Sequence, residues 1–154
     1  MEANDVSRVR RTLCATVLAA AVLAPSARAA TAGDAIAGVW LTEERDSKVS
    51  IAVHGEGARA TLDGKVVWLA QPTPGGKPAL DVQNADPALR ARPIMGLAIL
   101  SGFEPAAGGG WTAGSIYAPR SGKSYPAELA VGTDGRLRIR VKAGIVTKTI
   151  EWTR

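Results

Sequence analysis

The sequence predicts an all-β protein, a single antiparallel β-barrel of about eight strands with a long central loop. Three observations predict it. From Gly38 onward the chain is a series of short stretches rich in β-branched and aromatic residues, each bounded by Gly, Pro, Asp or Asn. Within them apolar and polar residues alternate at the strand period of two. No helical spacers separate them, which disfavours a parallel βαβ arrangement.

Before the first strand, Arg8, Arg10 and Arg11 precede the apolar run TLCATVLAAAVLA, and Pro25 then leads into Ala27-Arg28-Ala29. A basic segment, an apolar run too short to span a bilayer comfortably and an Ala-x-Ala exit together predict a secretory signal peptide over residues 1–29. An uncleaved anchor is the competing reading. Cleavage after Ala29 gives a mature domain of residues 30–154 that is periplasmic or secreted, with no transmembrane segment left. Cys14, the one cysteine, falls in the leader. Disulfides, thiolate metal sites and cysteine nucleophiles are thereby excluded from the mature domain. The leader holds four arginines and two acids, so the 19 basic and 14 acidic side chains of the chain fall to 15 and 12, a net of +3. A balance that mild is not the footprint of a nucleic-acid binder.

The strands follow in order. VWLTE, KVSIAVH and ARATLDGKVVWLA come first, with Asp63-Gly64 read as a tight turn. Residues 71–111 then form the long connection between two Pro/Gly-rich rims. It encloses a short helical turn over Asp86–Arg92 and the apolar IMGLAILSGF, which reads as a plug in one barrel end or as a lid. WTAGSIYA and SYPAELAV flank Pro119-Arg120-Ser121-Gly122, a turn sequence. Gly122-Lys123-Ser124 imitates the end of a phosphate-binding loop, but Tyr117 stands where that loop needs glycine, and Pro126 opposes the helix that must follow. RLRIRVKA and VTKTIEWT close the chain, with Asp134-Gly135 read as a tight turn before them. Leu137, Ile139 and Val141 share one face, opposite Arg136, Arg138, Arg140 and Lys142. That basic stripe reads as a solvated sheet face in preference to a nucleic-acid or lipid site, since no aromatic platform is interleaved with it. Val146, Lys148, Ile150 and Trp152 share a face too. If it looks into a barrel, Lys148 is an interior cation in need of an anionic partner.

His54, the one histidine, has no local partners for a metal cluster or a catalytic triad. Glu43, Glu44 and Asp46 around Arg45 read as a solvated turn. Asp81 and Asn84 followed by Arg90 and Arg92 are more informative. Opposite charges and an amide concentrated in one loop either brace that loop or hold an anionic ligand.

Taken together, Gly38-Val39-Trp40, the segment Asp81-x-x-Asn84-x-Asp86-Pro87-x-Leu89-Arg90-x-Arg92-Pro93-Ile94-x-Gly96-Leu97, the segment Gly114-x-Ile116-Tyr117-x-Pro119-x-Ser121-Gly122-Lys123-x-Tyr125 and the final Glu151-Trp152-Thr153-Arg154 resemble the DUF2147 family of exported bacterial proteins. The resemblance covers nearly all of the mature chain and implies no particular reaction. Many members carry a cysteine pair in the stretch corresponding to His54–Ala60 and a proline where this chain has Ala85; neither is present here, and Val141–Thr149 is shorter than usual. Gly38-x-Trp40 at the first strand and Trp152-Thr153-Arg154 at the last are also similar to lipocalin or calycin barrels. That likeness implies an arginine, Arg154, packed across the Trp40 indole where the barrel closes.

The expectation is a non-enzymatic barrel that binds a small amphiphilic or anionic molecule. Arg92, Lys123 and Lys148 would supply charge, Tyr117, Tyr125 and Trp68 apolar contact, and Asp81 and Asn84 the bracing of the loop. Gly38, Trp40, Trp152 and Arg154 would be structural. No metal, cofactor or nucleic acid is expected. The alternatives are a cell-envelope structural or protein-interaction module and, third, a hydrolase working through Asp81 and His54.

Overall fold

Eight antiparallel strands follow one another in chain order and pair only with their neighbours along the chain: β1 (Gly38–Leu41), β2 (Ser47–His54), β3 (Thr61–Leu69), β4 (Ala98–Pro105), β5 (Trp111–Ala118), β6 (Lys123–Val131), β7 (Leu137–Ala143) and β8 (Val146–Trp152). The computed structural model describes residues 35–154, so the expected leader lies outside the described residues. Leu41 and Thr153 exchange two backbone hydrogen bonds, of 2.7 and 3.0 Å, which bring β1 to the end of β8 and curl the sheet into a barrel. The all-β antiparallel architecture expected from the sequence is the one observed.

This meander sorts the connections. Those after β1, β3, β5 and β7 emerge at one end, here the loop end; those after β2, β4 and β6 emerge at the other, beside residues 35–37 and Arg154. Inside, Trp40, Val49, Ile51, Leu62, Val66, Leu100, Phe103, Leu129, Leu137, Ile139 and Trp152 form one buried cluster. The inward column of each strand supplies it, as a half-buried sheet requires.

Two local readings are corrected. AILSGFEP is strand β4 and not part of a structureless plug. Gly102 has φ +72°, and the register beside it shifts, so Leu100 opposes Gly64 while Phe103, three residues on, opposes Leu62. Leu100 and Phe103 are both fully buried. A bulge of this kind breaks the period of two that would have revealed the strand. Asp63-Gly64, expected as a turn, lies within β3. Glycine serves packing there: a Cβ on Gly64 would meet Leu100 Cδ1 at 2.8 Å. Gly114 leaves room for the Phe103 ring in the same way. The turn at Asp134-Gly135 does form, with Gly135 at φ +75°.

At the closing seam the Arg154 guanidinium lies 4.7 Å from the centre of the Trp40 ring. It also donates to the carbonyls of Ala35 at 2.6 Å and Ala37 at 3.1 Å. The Trp40 indole N–H donates to the Ile36 carbonyl at 2.7 Å. One cation and one indole thus tie the segment before β1 to the segment after β8.

On the outer face of β6 to β8 the basic stripe is matched by acids. Arg136 meets Glu151 at 2.8 Å, Arg138 meets Asp134 at 2.6 Å and Glu151 at 3.1 Å, and Arg140 and Lys142 flank Glu128 at 3.7 and 3.2 Å. Exposed pairs like these stabilise little individually. They do cancel the field that would attract a polyanion.

Gly64→Ala should lower unfolding free energy by about 1 to 3 kcal/mol through overpacking against Leu100, read from urea denaturation. Gly108→Ala, where nothing lies within 4 Å of the added carbon, should change it by less than about 0.5 kcal/mol. Equal effects at both positions would show that the Gly64–Leu100 approach does not set the β3–β4 register.

Candidate functional site

The long loop between β3 and β4 folds back on itself. Asp81 N–H donates to the Arg92 carbonyl at 3.0 Å and Ile94 N–H to Ala79 at 2.9 Å, so residues 79–81 and 92–94 form a small ribbon. At its tip Asp86 caps a single 3₁₀ turn, Pro87–Leu89, by accepting the Ala88 N–H at 2.9 Å. Asn84 Oδ1 accepts the Asp86 N–H at 2.9 Å, and Arg90 Nε donates to the Asn84 carbonyl at 2.8 Å. Asn and Asp side chains that mimic backbone in this way are a common means of ordering a loop.

Asp81 is the hub. Its side chain is completely buried. Tyr117 donates its hydroxyl to Oδ1 at 2.6 Å, while Asn84 Nδ2 at 2.8 Å and two guanidinium nitrogens of Arg92, both at 2.9 Å, converge on Oδ2. Asn84 Nδ2 also lies 2.9 Å from the Tyr117 oxygen, and the Arg92 guanidinium sits 5.5 Å from the Tyr117 ring centre. Burial acts most strongly on Asp81 and raises its pKa, but the hydrogen bonds from Tyr117, Asn84 and Arg92 and the Arg92 charge together outweigh it, so the carboxyl titrates below its ordinary range. The Tyr117 phenol is pushed upward, first by burial and then by the carboxylate to which it donates. Gly122 completes the contact: its φ is +66°, and the Gln83 carbonyl occupies the place a Cβ would need. Loop and β5–β6 turn are therefore locked together.

These four residues, Asp81, Asn84, Arg92 and Tyr117, meet as one network; the remaining candidates do not join it. In register Tyr125 lies opposite Ile116 and Tyr117 opposite Ser124, so the two tyrosines occupy opposite faces of the hairpin. Tyr125 is half-buried on the inner face, and Lys123 is exposed at the start of β6 with no ion pair among the described residues. Lys148 is in the inward column opposite Val141, yet its side chain is 68% exposed and 3.8 Å from Glu43. It is a cation at the open rim, not an interior one, because the inward column runs past the end of the packed core. Trp68 faces outward, 41% exposed, with the Lys48 ammonium 5.5 Å from its ring. A register shift between Lys48 and Val49 turns it away from the inward side that Val66 occupies.

His54 lies 3.4 Å from Asp63 on exposed neighbouring strands. That pair sits at the end of the barrel remote from Asp81, so the Asp81–His54 combination is not assembled. Two links escaped sequence reasoning. Asp46 of the β1–β2 turn pairs with Arg120 of the β5–β6 turn, and Glu43 meets Lys148. Both join segments far apart in sequence, for which no local signal exists. A further groove of about 600 Å³ runs along the outer face between the β4–β5 connection and β6 to β8, lined by Ala106, Thr112, Glu128, Arg138, Arg140 and Thr149 among others. Its cations are those already matched by acids.

Residues 38–154 match the family described as an uncharacterized protein conserved in bacteria, DUF2147. Comparison with curated proteins returns no match. Among solved structures, a protein of the human pathogen Helicobacter pylori described as belonging to the lipocalin family superimposes with a TM-score of 0.60 at 23% identity, over 77% of this chain and 81% of that one. The likeness establishes a lipocalin-like fold.

Because the folded pKa of Asp81 is depressed, its contribution to stability is present above the ordinary carboxylate range and is lost as pH falls through the folded value. Tyr117, with a raised pKa, contributes below the ordinary phenol range and loses its contribution as pH rises through its folded value. Asp81→Asn should cost about 2 to 4 kcal/mol at neutral pH and should flatten the acid limb of stability against pH. Urea midpoints taken from neutral to about pH 3 check this; parallel acid limbs in the two proteins would remove Asp81 from the hub.

Proposed function

The chain belongs to the DUF2147 family, and on its lipocalin-like barrel we propose a non-enzymatic, exported binding protein whose ligand is a small amphiphile carrying an anionic group. One observation carries the reading. Along the inner face of β7 and β8 the packing opens stepwise toward the loop end: Leu137 and Trp152 are buried, Ile139 is buried beside half-buried Ile150, and Val141 is half-buried beside the exposed Lys148. Tyr125 on β6 is half-buried on the same face. An apolar tail would lie against Tyr125, Val141 and Ile150. Its head group would meet Lys148, which only a long, exposed contact to Glu43 now occupies, with Lys123 further along the inward column of β6. Asp81, Asn84, Arg92 and Tyr117 take the bracing role, since the carboxylate's acceptor sites are filled by the chain's own donors.

Export rests on the N-terminal sequence, and the mass of protein recovered from an exporting host should begin at Ala30. Titration of that protein with oleate, followed by native mass spectrometry, should give a one-to-one adduct. Lys148→Glu should weaken it about tenfold, the factor that roughly 1.4 kcal/mol supplies, and Tyr125→Ala should weaken it further. Retained affinity in both variants, or no adduct with oleate or its amphiphilic sulfonate analogues, would overturn the reading.

A further inference from the structure

The two ends of the barrel differ in a way the ligand reading does not use. Nine large apolar side chains are exposed among the described residues; eight lie on or beside the connections at the loop end, and Val39 is the exception. The most prominent form the tip of the β7–β8 hairpin, where Ile145 is fully exposed and Val146 is 61% exposed. Met95, at 41%, and Val82, at 58%, project from the long loop at the same end.

Charge is divided in parallel. The loop end and its flanking strand ends, residues 41–49, 67–98, 117–126 and 141–149, carry nine basic and five acidic side chains. The rest of the described residues carry six of each. The whole positive surplus of the described barrel therefore lies where the apolar tips are. Lys142 and Lys148 bracket Ile145 and Val146, with side chains 54% and 68% exposed. Long lysine stems beside an apolar tip can lie along hydrocarbon while their ammonium groups stay among head groups.

We propose that the loop end docks on an anionic lipid bilayer, with the Ile145-Val146 tip entering the head-group boundary and Lys142, Lys148 and Lys123 meeting lipid phosphates. Separate apolar protrusions ringed by cations match a soft, negatively charged surface, to which both buried apolar area and basic residues contribute. No described helix is long and apolar enough to span a membrane; the contact proposed is a peripheral one. It also faces the rim that carries Lys148 toward the surface. This proposal stands whether or not the barrel takes a ligand.

The test uses the protein recovered from an exporting host, which on the reading above begins at Ala30 and so lacks Cys14, with an environment-sensitive dye on Thr147→Cys at the tip, compared with the same dye on Gly108→Cys at the remote end. Vesicles of phosphatidylglycerol should shift the tip dye to the blue and leave the remote dye unchanged. Phosphatidylcholine vesicles should shift neither. Adding Ile145→Asp should abolish most of the tip shift without altering the melting temperature, since that side chain buries nothing in the free protein. Equal shifts at both ends, a shift indifferent to lipid charge, a tip shift that survives Ile145→Asp, or capture of vesicles with no tip shift would each overturn the proposal. The ligand titration is made without vesicles, so the two readings fail separately.

Discussion

The loop end depends on one buried carboxylate. Asp81 is shut off from water, and a charge so placed is tolerated only because Tyr117, Asn84 and Arg92 all donate to it. Those donors come from three places: the loop itself on either side of the 3₁₀ turn, and strand β5. Satisfying the carboxylate therefore forces the loop to fold back and forces it onto the β5–β6 hairpin. Gly122 then has to be glycine because the docked loop brings the Gln83 carbonyl against its backbone. The sequence GKS at this turn owes its likeness to a phosphate loop to that packing requirement.

Much of this was legible in the chain because strand alternation is a local signal. Leu137, Ile139 and Val141 declare one face of β7, and the pairing of β7 with β8 then orients Trp152 and Ile150 without further information. The concentration of Asp81, Asn84, Arg90 and Arg92 announced a polar network. What escaped was non-local or irregular. Gly102 broke the period in β4, and a register shift turned Trp68 outward although Val66, two residues earlier, faces in. The partners of Lys148 and Asp46 come from other turns, which only the closed barrel brings near. The same limit applies to Tyr117 and Tyr125, which lie eight positions apart in a common hairpin and face opposite ways because the register pairs them with Ser124 and Ile116.

The distribution of charge shows a division of labour that composition conceals. Near the remote end and along the outer wall, arginines are interleaved with acids and the surface is electrically quiet. At the loop end Lys123 is left without a salt bridge among the described residues, and the contacts of Lys142 and Lys148 are exposed and readily exchanged. A net charge of +5 for the whole chain says little about partners. Where the surplus sits says more, because potential at a surface falls off within about one Debye length, roughly 8 Å at physiological salt.

The closing seam has a consequence for how the chain reaches this structure. Every strand pairing except one joins neighbours along the chain, and all of these but β3–β4, which the long loop separates, form from contacts of short sequence separation. The bridge between Leu41 and Thr153, with Arg154 laid over Trp40, spans almost the entire described length. It closes the longest loop of the fold, and closure entropy rises, slowly, with loop length. Contact order thus favours the growth of a ribbon that closes last at its two ends. The four-residue strand β1, attached along one side by β2 and on the other by a single bridge, is the element through which the closed barrel would first reopen.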